Sequence, residues 1–330
     1  MQEHSLWLWI GFGTVITFMM SLDLGLLNRK AHAPTYKESL VWSGVWITLA
    51  LLFSGVIFWH LGSIKGLEFL TGYVIELSLS VDNLFVFLLL FSYFRVPPKY
   101  QHRVLFWGVL GALVMRITII LLGTALISRF HWVLYLFGAF LVYTGIKMLV
   151  TEDEELDPEQ SSVVRVLTRF VPITRHYEED KFFTVINGRR TGTLLFLVLV
   201  IVEVTDLVFA VDSIPAIFGV TTDFFIIFTS NVFAILGLRT LFFLLARVIE
   251  RFHYLKVGLA IVLTMIGVKM LAETLLLKVV NKYTLIVISL CTVATVLAGS
   301  VIASLIWPEK TFSDVDTSPN FDASFEDLNE

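Results

Sequence analysis

The sequence predicts an all-α polytopic membrane protein with about nine transmembrane helices, six of which form an inverted repeat of three plus three. Three observations carry this. The 330 residues are 57% hydrophobic and only 16% charged, with a mean hydropathy of +0.83, which is not how soluble domains are composed. Nearly uncharged runs of about 20 residues or more recur, each long enough for the roughly 30 Å hydrocarbon core of a bilayer. Blocks of sequence also return in the same order in the two halves of the chain.

From the N-terminus, hydropathy places spans at about 6–27, 40–59, 68–94, 104–127, 131–150, 192–219, 224–246, 254–275 and 284–307. The opening MQEHSLWLW has no cationic n-region and no small-residue cleavage site, so it is expected to lead into a retained first span. Two helices fill residues 1–67, and 68–150 hold the first three-helix repeat. Residues 151–191 are a hydrophilic linker that opens acidic (TEDEELDPE) and closes basic (NGRR). The second repeat occupies 192–275 and a last span 276–307. The tail 308–330 is acidic and lacks an ordering pattern, so disorder is expected there. With the N-terminus outside, sixteen Lys and Arg residues fall on inner segments and only Lys65, Arg129, Lys278 and Lys282 on outer ones. The positive-inside rule therefore predicts an external N-terminus, with the linker and C-terminus in the cytoplasm.

The repeat is read from four blocks. Residues 80–85 (SVDNLF) match 210–215 (AVDSIP), and GVLGALVMRITIILLG from Gly108 matches NVFAILGLRTLFFLLA from Asn231. RFHW from Arg129 matches RFHY from Arg251, and GIKML from Gly145 matches GVKML from Gly267. The offsets are 130, 123, 122 and 122 residues. Each unit holds three spans, an odd number, so the two units cross the membrane in opposite senses. Inverted repeats are a common architecture of secondary transporters, with the site near the midplane between the repeats.

Five carboxylates fall within apolar spans: Glu76 and Asp82 in the third, and Glu203, Asp206 and Asp212 in the sixth. Facing lipid, they would cost on the order of 12 kcal/mol or more, so they are expected to face one another, a cavity or a cation. The repeat aligns Glu76 with Asp206 and Asp82 with Asp212. Glu203 belongs to the second half alone, opposite Tyr73. Glu203 and Asp206 share a helix face. On an unbroken helix Asp206 and Asp212 would stand about 9 Å and about 240° apart. Pro215 lacks an amide hydrogen and clashes with the Val211 carbonyl, so a kink or unwinding is expected near Val211–Ser213 that would turn Asp212 inward. The first half offers Asn83 but no proline.

Arg116 and Arg239, in equivalent spans, are expected to compensate some of this charge; the plain alternative is snorkelling to an interface. Five acids exceed two arginines, and the surplus asks for protons, a metal, or both. All seven histidines (4, 32, 60, 102, 131, 176 and 253) lie in loops or at span ends. The lone cysteine, Cys291, excludes a disulfide framework, a CxxC motif and a thiolate cluster. Carboxylates, the Asn83 amide, the Ser213 hydroxyl and backbone oxygens suit a hard dication: manganese, magnesium or calcium. Met115 and Met265 read as packing residues, and Asp23 as an interfacial ion-pair partner. A net charge of −4 without a basic patch excludes nucleic acid as an expected partner.

The motifs ELSLSVDNLFVF, EVTDLVFAVDSIPAIF and TSNVFAILGLR, with the GIKML and GVKML ends, resemble the TerC family of integral membrane proteins, in particular its Alx-like bacterial branch. The likeness covers roughly residues 5–307. It implies a manganese exporter of the bacterial inner membrane, in a family also named for tellurium resistance, with Glu76, Asp82, Glu203, Asp206 and Asp212 as metal ligands. The expected function is thus Mn2+ efflux coupled to proton entry, with the bilayer, the dication and protons as partners. Mn2+ is then cargo; no organic cofactor and no catalysis are expected. One alternative is a membrane-protein assembly or stress-sensing factor. Another is an intramembrane aspartyl protease with paired aspartates, but the GxGD context for it is missing.

Overall fold

The structure, a computed structural model, describes residues 6–27, 36–150, 171–174, 177–178, 180–186, 188–245 and 254–307. The side chains of residues 22–27, 36, 82, 85, 189 and 239 lie outside the described set, as do most of the linker (151–170) and the acidic tail (308–330). Among the described residues are nine helices: α1 (Leu6–Leu27), α2 (Tyr36–Leu61), α3 (Ser63–Tyr93), α4 (Pro98–Arg129), α5 (Val133–Val150), α6 (Leu194–Phe218), α7 (Phe224–Leu245), α8 (Leu255–Val279) and α9 (Lys282–Ile306). Seven of them, α2 to α6 with α8 and α9, are long and apolar enough to cross a membrane. In α1 and α7 the apolar stretches of described side chains are Leu6–Ser21 and Phe224–Leu238. The protein is therefore an all-α multi-pass membrane protein.

The helices bury their small polar groups and turn aliphatic side chains outward, the arrangement a lipid solvent favours. On α2, Ser39, Ser43, Trp46, Ala50, Ser54 and Ile57 are buried, while Leu40, Val41, Leu51, Leu52 and Val56 are exposed. Local chemistry fixes the ends. Gly62 at φ +87° lets α2 turn straight into α3. Pro98 opens α4, where a missing amide hydrogen costs nothing. The Asn281 side chain caps α9 by accepting from the Thr284 amide at 2.8 Å.

Packing among the six central helices comes in reciprocal pairs. With α3, α4 and α5 set against α6, α7 and α8, α3 packs on α7 as α4 packs on α6, and α5 packs on α6 as α8 packs on α3. The tightest pair is α5 with α8. A Cβ on Gly267 would stand 2.6 Å from the Gly138 carbonyl oxygen, and one on Gly145 would stand 2.7 Å from that of Ala260. Gly138 is the alignment partner of Ala260, and Gly145 of Gly267. The two contacts therefore exchange when the halves are exchanged, the form a two-fold axis gives. Outside this group, α2 packs on α3 and α7, and α9 on α8 and α3. Phe12, Phe53, Phe69 and Phe233 join α1, α2, α3 and α7, with ring centroids 5.1 to 6.0 Å apart.

Two features depart from the sequence reading. The linker ends in an antiparallel hairpin, β1 (Phe183–Ile186) with β2 (Arg189–Gly192). Ile186 pairs with Arg189, and Gly188 before it takes φ +77°. The Asn-Gly pair was the available signal. The second departure is in α6, where a kink or unwinding was expected near Val211–Ser213 and no unwinding occurs: it runs as one α-helix to Phe218. Pro215 removes a single helical hydrogen bond. Burial of Ser213 through Phe218 against neighbouring helices holds the rest, and the proline carbonyl accepts from Gly219 at 3.0 Å in the final turn.

Candidate functional site

The continuous α6 carries Glu203, Asp206 and Asp212 on one rod, and α3 carries Glu76, Asp82 and Asn83 on another. Beside them runs α4, which packs on α6 with Gly108 and Gly111 at the close approach and carries a long cationic side chain at Arg116. That side chain is buried, at 2% exposure, and is ion-paired with the fully buried Glu76. Its second terminal nitrogen lies 3.4 Å from Asp206 Oδ1, and the first donates to Ser213 Oγ at 3.4 Å. One guanidinium thus bridges two carboxylates from opposite halves of the repeat. Compensation by Arg116 was the sequence expectation, and Arg116 is the cation beside both acids.

The group is not saturated. Glu76 Oε2, the oxygen outside the ion pair, is buried without a hydrogen-bond partner, as are Asp206 Oδ2 and Arg116 Nε. Buried polar atoms in this condition are uncommon, because each forfeits its hydration. One turn before Asp206, the Glu203 carboxylate lies against Gly111 of α4, in space that a Cβ at that position would invade. Glu203 is half-buried.

The other candidates are placed apart. Asp212 turns to α5, where Thr144 donates to it at 3.5 Å and Lys147 acts on it electrostatically. Without a break in α6, it stays about 240° around the helix from Asp206. Asn83 is buried on α3, and Pro215 is buried near the end of α6. The side chains of Asp82, Arg239 and Asp23 lie outside the described residues. Among the described side chains, no three Asp, Glu, His or Cys residues are grouped as metal ligands. Met265 packs against the α5–α8–α9 core, as expected. Described histidines 60, 102 and 131 fall at helix ends; 4, 32, 176 and 253 are outside the described set.

Residues 61–311, about three quarters of the chain, match the model of the integral membrane protein TerC family. The chain belongs to the TerC family. A Myxococcus xanthus relative, "Uncharacterized membrane protein STKORF319", is 50% identical over 299 residues, covering 91% of this chain and 92% of the relative. A relative from Escherichia coli K12, "Putative membrane-bound redox modulator Alx", is 52% identical over 273 residues, covering 80% and 85%. A Rickettsia bellii membrane protein is 42% identical over 261 residues. No solved structure matches.

This TerC-family chain holds a second charged group that the sequence reading missed. It lies where α3, α7 and α9 begin and α6 and α8 end. Fully buried Glu68 receives Lys65 at 2.9 Å, Lys282 at 2.8 Å and the Thr221 hydroxyl at 2.7 Å. Lys65 also pairs with Asp223 at 2.8 Å, and Lys269 donates to the Gly219 carbonyl at 3.3 Å. These contacts tie α3, α8 and α9 to the α6–α7 turn at one end of the bundle.

Proposed function

We propose that the protein exports a hard divalent cation, manganese(II) by preference, across the bacterial inner membrane, with its N-terminus outside and its C-terminus in the cytoplasm. The observation that carries this reading is the pair of buried carboxylates, Glu76 and Asp206, contributed by opposite halves and left with unpartnered oxygens. Such oxygens are ligands of the right hardness for Mn2+. Glu203 adds a carboxylate one turn away, and Asn83 and Ser213 add neutral oxygens. Asp82 and Asp212 complete the proposed set as stations further along the path, because Asp212 faces α5. The reciprocal packing supports an inverted repeat, whose two halves can open the same site alternately to either side.

Moving a dication outward against an inside-negative potential costs about 4.6 kcal/mol per 100 mV, twice the cost for a single charge. Two protons entering in exchange would leave the charge of the site unchanged, since two protonated carboxyls replace one dication. Manganese uptake into proteoliposomes, with and without an opposing proton gradient, tests this. Gradient-driven accumulation is expected. Flux that ignores the gradient would remove the coupling, and no flux by the folded protein would remove transport.

One observation favours a second reading, a partner-binding assembly or stress-sensing factor. Phe183, Val185 and Ile186 on β1 are exposed apolar residues on a segment that charge places in the cytoplasm. The redox role in the printed name of the Escherichia coli relative has no dithiol to act through here, since Cys291 is the chain's one cysteine. A protease dyad is disfavoured because Glu76 and Asp206 are bridged by Arg116, whereas a dyad shares a proton directly.

A further inference from the structure

The bridge made by Arg116 is incomplete. Its guanidinium is ion-paired with Glu76 and reaches Asp206 and Ser213 at 3.4 Å, while Arg116 Nε and Asp206 Oδ2 have no partner. A side chain serving only to neutralise two acids would gain most from a planar, two-pronged pairing with each. This one stands between the two carboxylates and leaves an oxygen of Asp206 unbonded. The oxygens it faces are those a dication entering between α3 and α6 would need. Two positive groups cannot share that gap, where low dielectric strengthens their repulsion.

From this geometry we propose that Arg116 is a tethered counter-ion. It holds the Glu76–Asp206 pair together in the empty transporter and is displaced by the incoming metal ion. The inference rests on the cargo site proposed above. It explains how a metal-free site can hold two carboxylates together within the membrane while metal is exchanged for protons, where uncompensated charge is expensive. It also gives the repeat a consequence. Exchanging the halves turns Arg116 into Arg239, Glu76 into Asp206 and Asp206 into Glu76. Arg239 is thereby assigned the counter-ion role when the site faces the other way.

Manganese binding to the purified full-length protein, followed by titration calorimetry, tests this with Arg116→Gln and Arg116→Lys. With the competing cation removed, Arg116→Gln binds Mn2+ at least tenfold more tightly than the wild type, and Arg116→Lys restores an affinity near the wild-type value. Net export by Arg116→Gln slows, while manganese-for-manganese exchange persists, because only net export requires the metal-free site to turn over. Equal or weaker binding by Arg116→Gln overturns the proposal. Where Arg116→Gln folds poorly, melting with and without Mn2+ decides instead: the metal raises its Tm more than that of the wild type, and an equal or smaller rise overturns the proposal. Asp206→Asn separates the two levels. Unchanged Mn2+ binding by that variant removes the cargo site itself, whereas weakened binding without tightening in Arg116→Gln removes only the counter-ion.

Discussion

At the scale of single residues, the site depends on which carboxylates have room to move. Glu203 lies against Gly111, so a methyl group there intrudes on the carboxylate without altering any charge. Gly111→Ala is expected to reduce manganese flux severalfold, with a stability loss of about 1 to 3 kcal/mol from overpacking, read as flux beside a melting curve. At the other group, Glu68→Gln removes the charge that two lysines share. A loss of about 3 kcal/mol is expected in detergent melts, because buried ion pairs are costly to break from one side. Glu76, Arg116 and Asp206 were legible in the sequence because charge within an apolar run must be compensated. Glu68 was not, because it sits at the edge of a span, where charge is cheap and carries little signal. The Asp212–Lys147 relation was hidden for another reason: it joins two helices whose mutual rotation no local pattern specifies.

At the scale of elements, hydropathy located the helices but not their continuity. Pro215 was expected to open α6 and instead lies within it, since one missing hydrogen bond is a small loss in a segment buried from Ser213 to Phe218. The β1–β2 hairpin, also absent from the reading, has four-residue strands too short to show in a hydropathy window. The pairing of α5 with α8 depends on backbones that approach at Gly138, Gly145 and Gly267. Gly267→Leu should force these helices apart and lower the melting temperature by several degrees, equivalent to about 3 kcal/mol or more given the backbone contact. An unchanged melt would show that the close approach does not hold the pair together. Gly299, with no neighbour near its Cβ direction, is the control expected to tolerate alanine.

At the scale of the whole molecule, the arrangement joins two halves at a charged centre and ties one end of the bundle with the Glu68 group. The all-α multi-pass class was legible because a bilayer imposes long apolar helices on the entire sequence. Which acids converge did not follow, because convergence depends on helix rotation and tilt. The central claim is that cargo crosses at Glu76 and Asp206, and the most direct test is manganese uptake by proteoliposomes carrying the wild type or Asp206→Asn at matched protein content and orientation. Transport through this pair predicts rapid uptake by the wild type and loss of nearly all of it in the variant; equal uptake by the two proteins would contradict it.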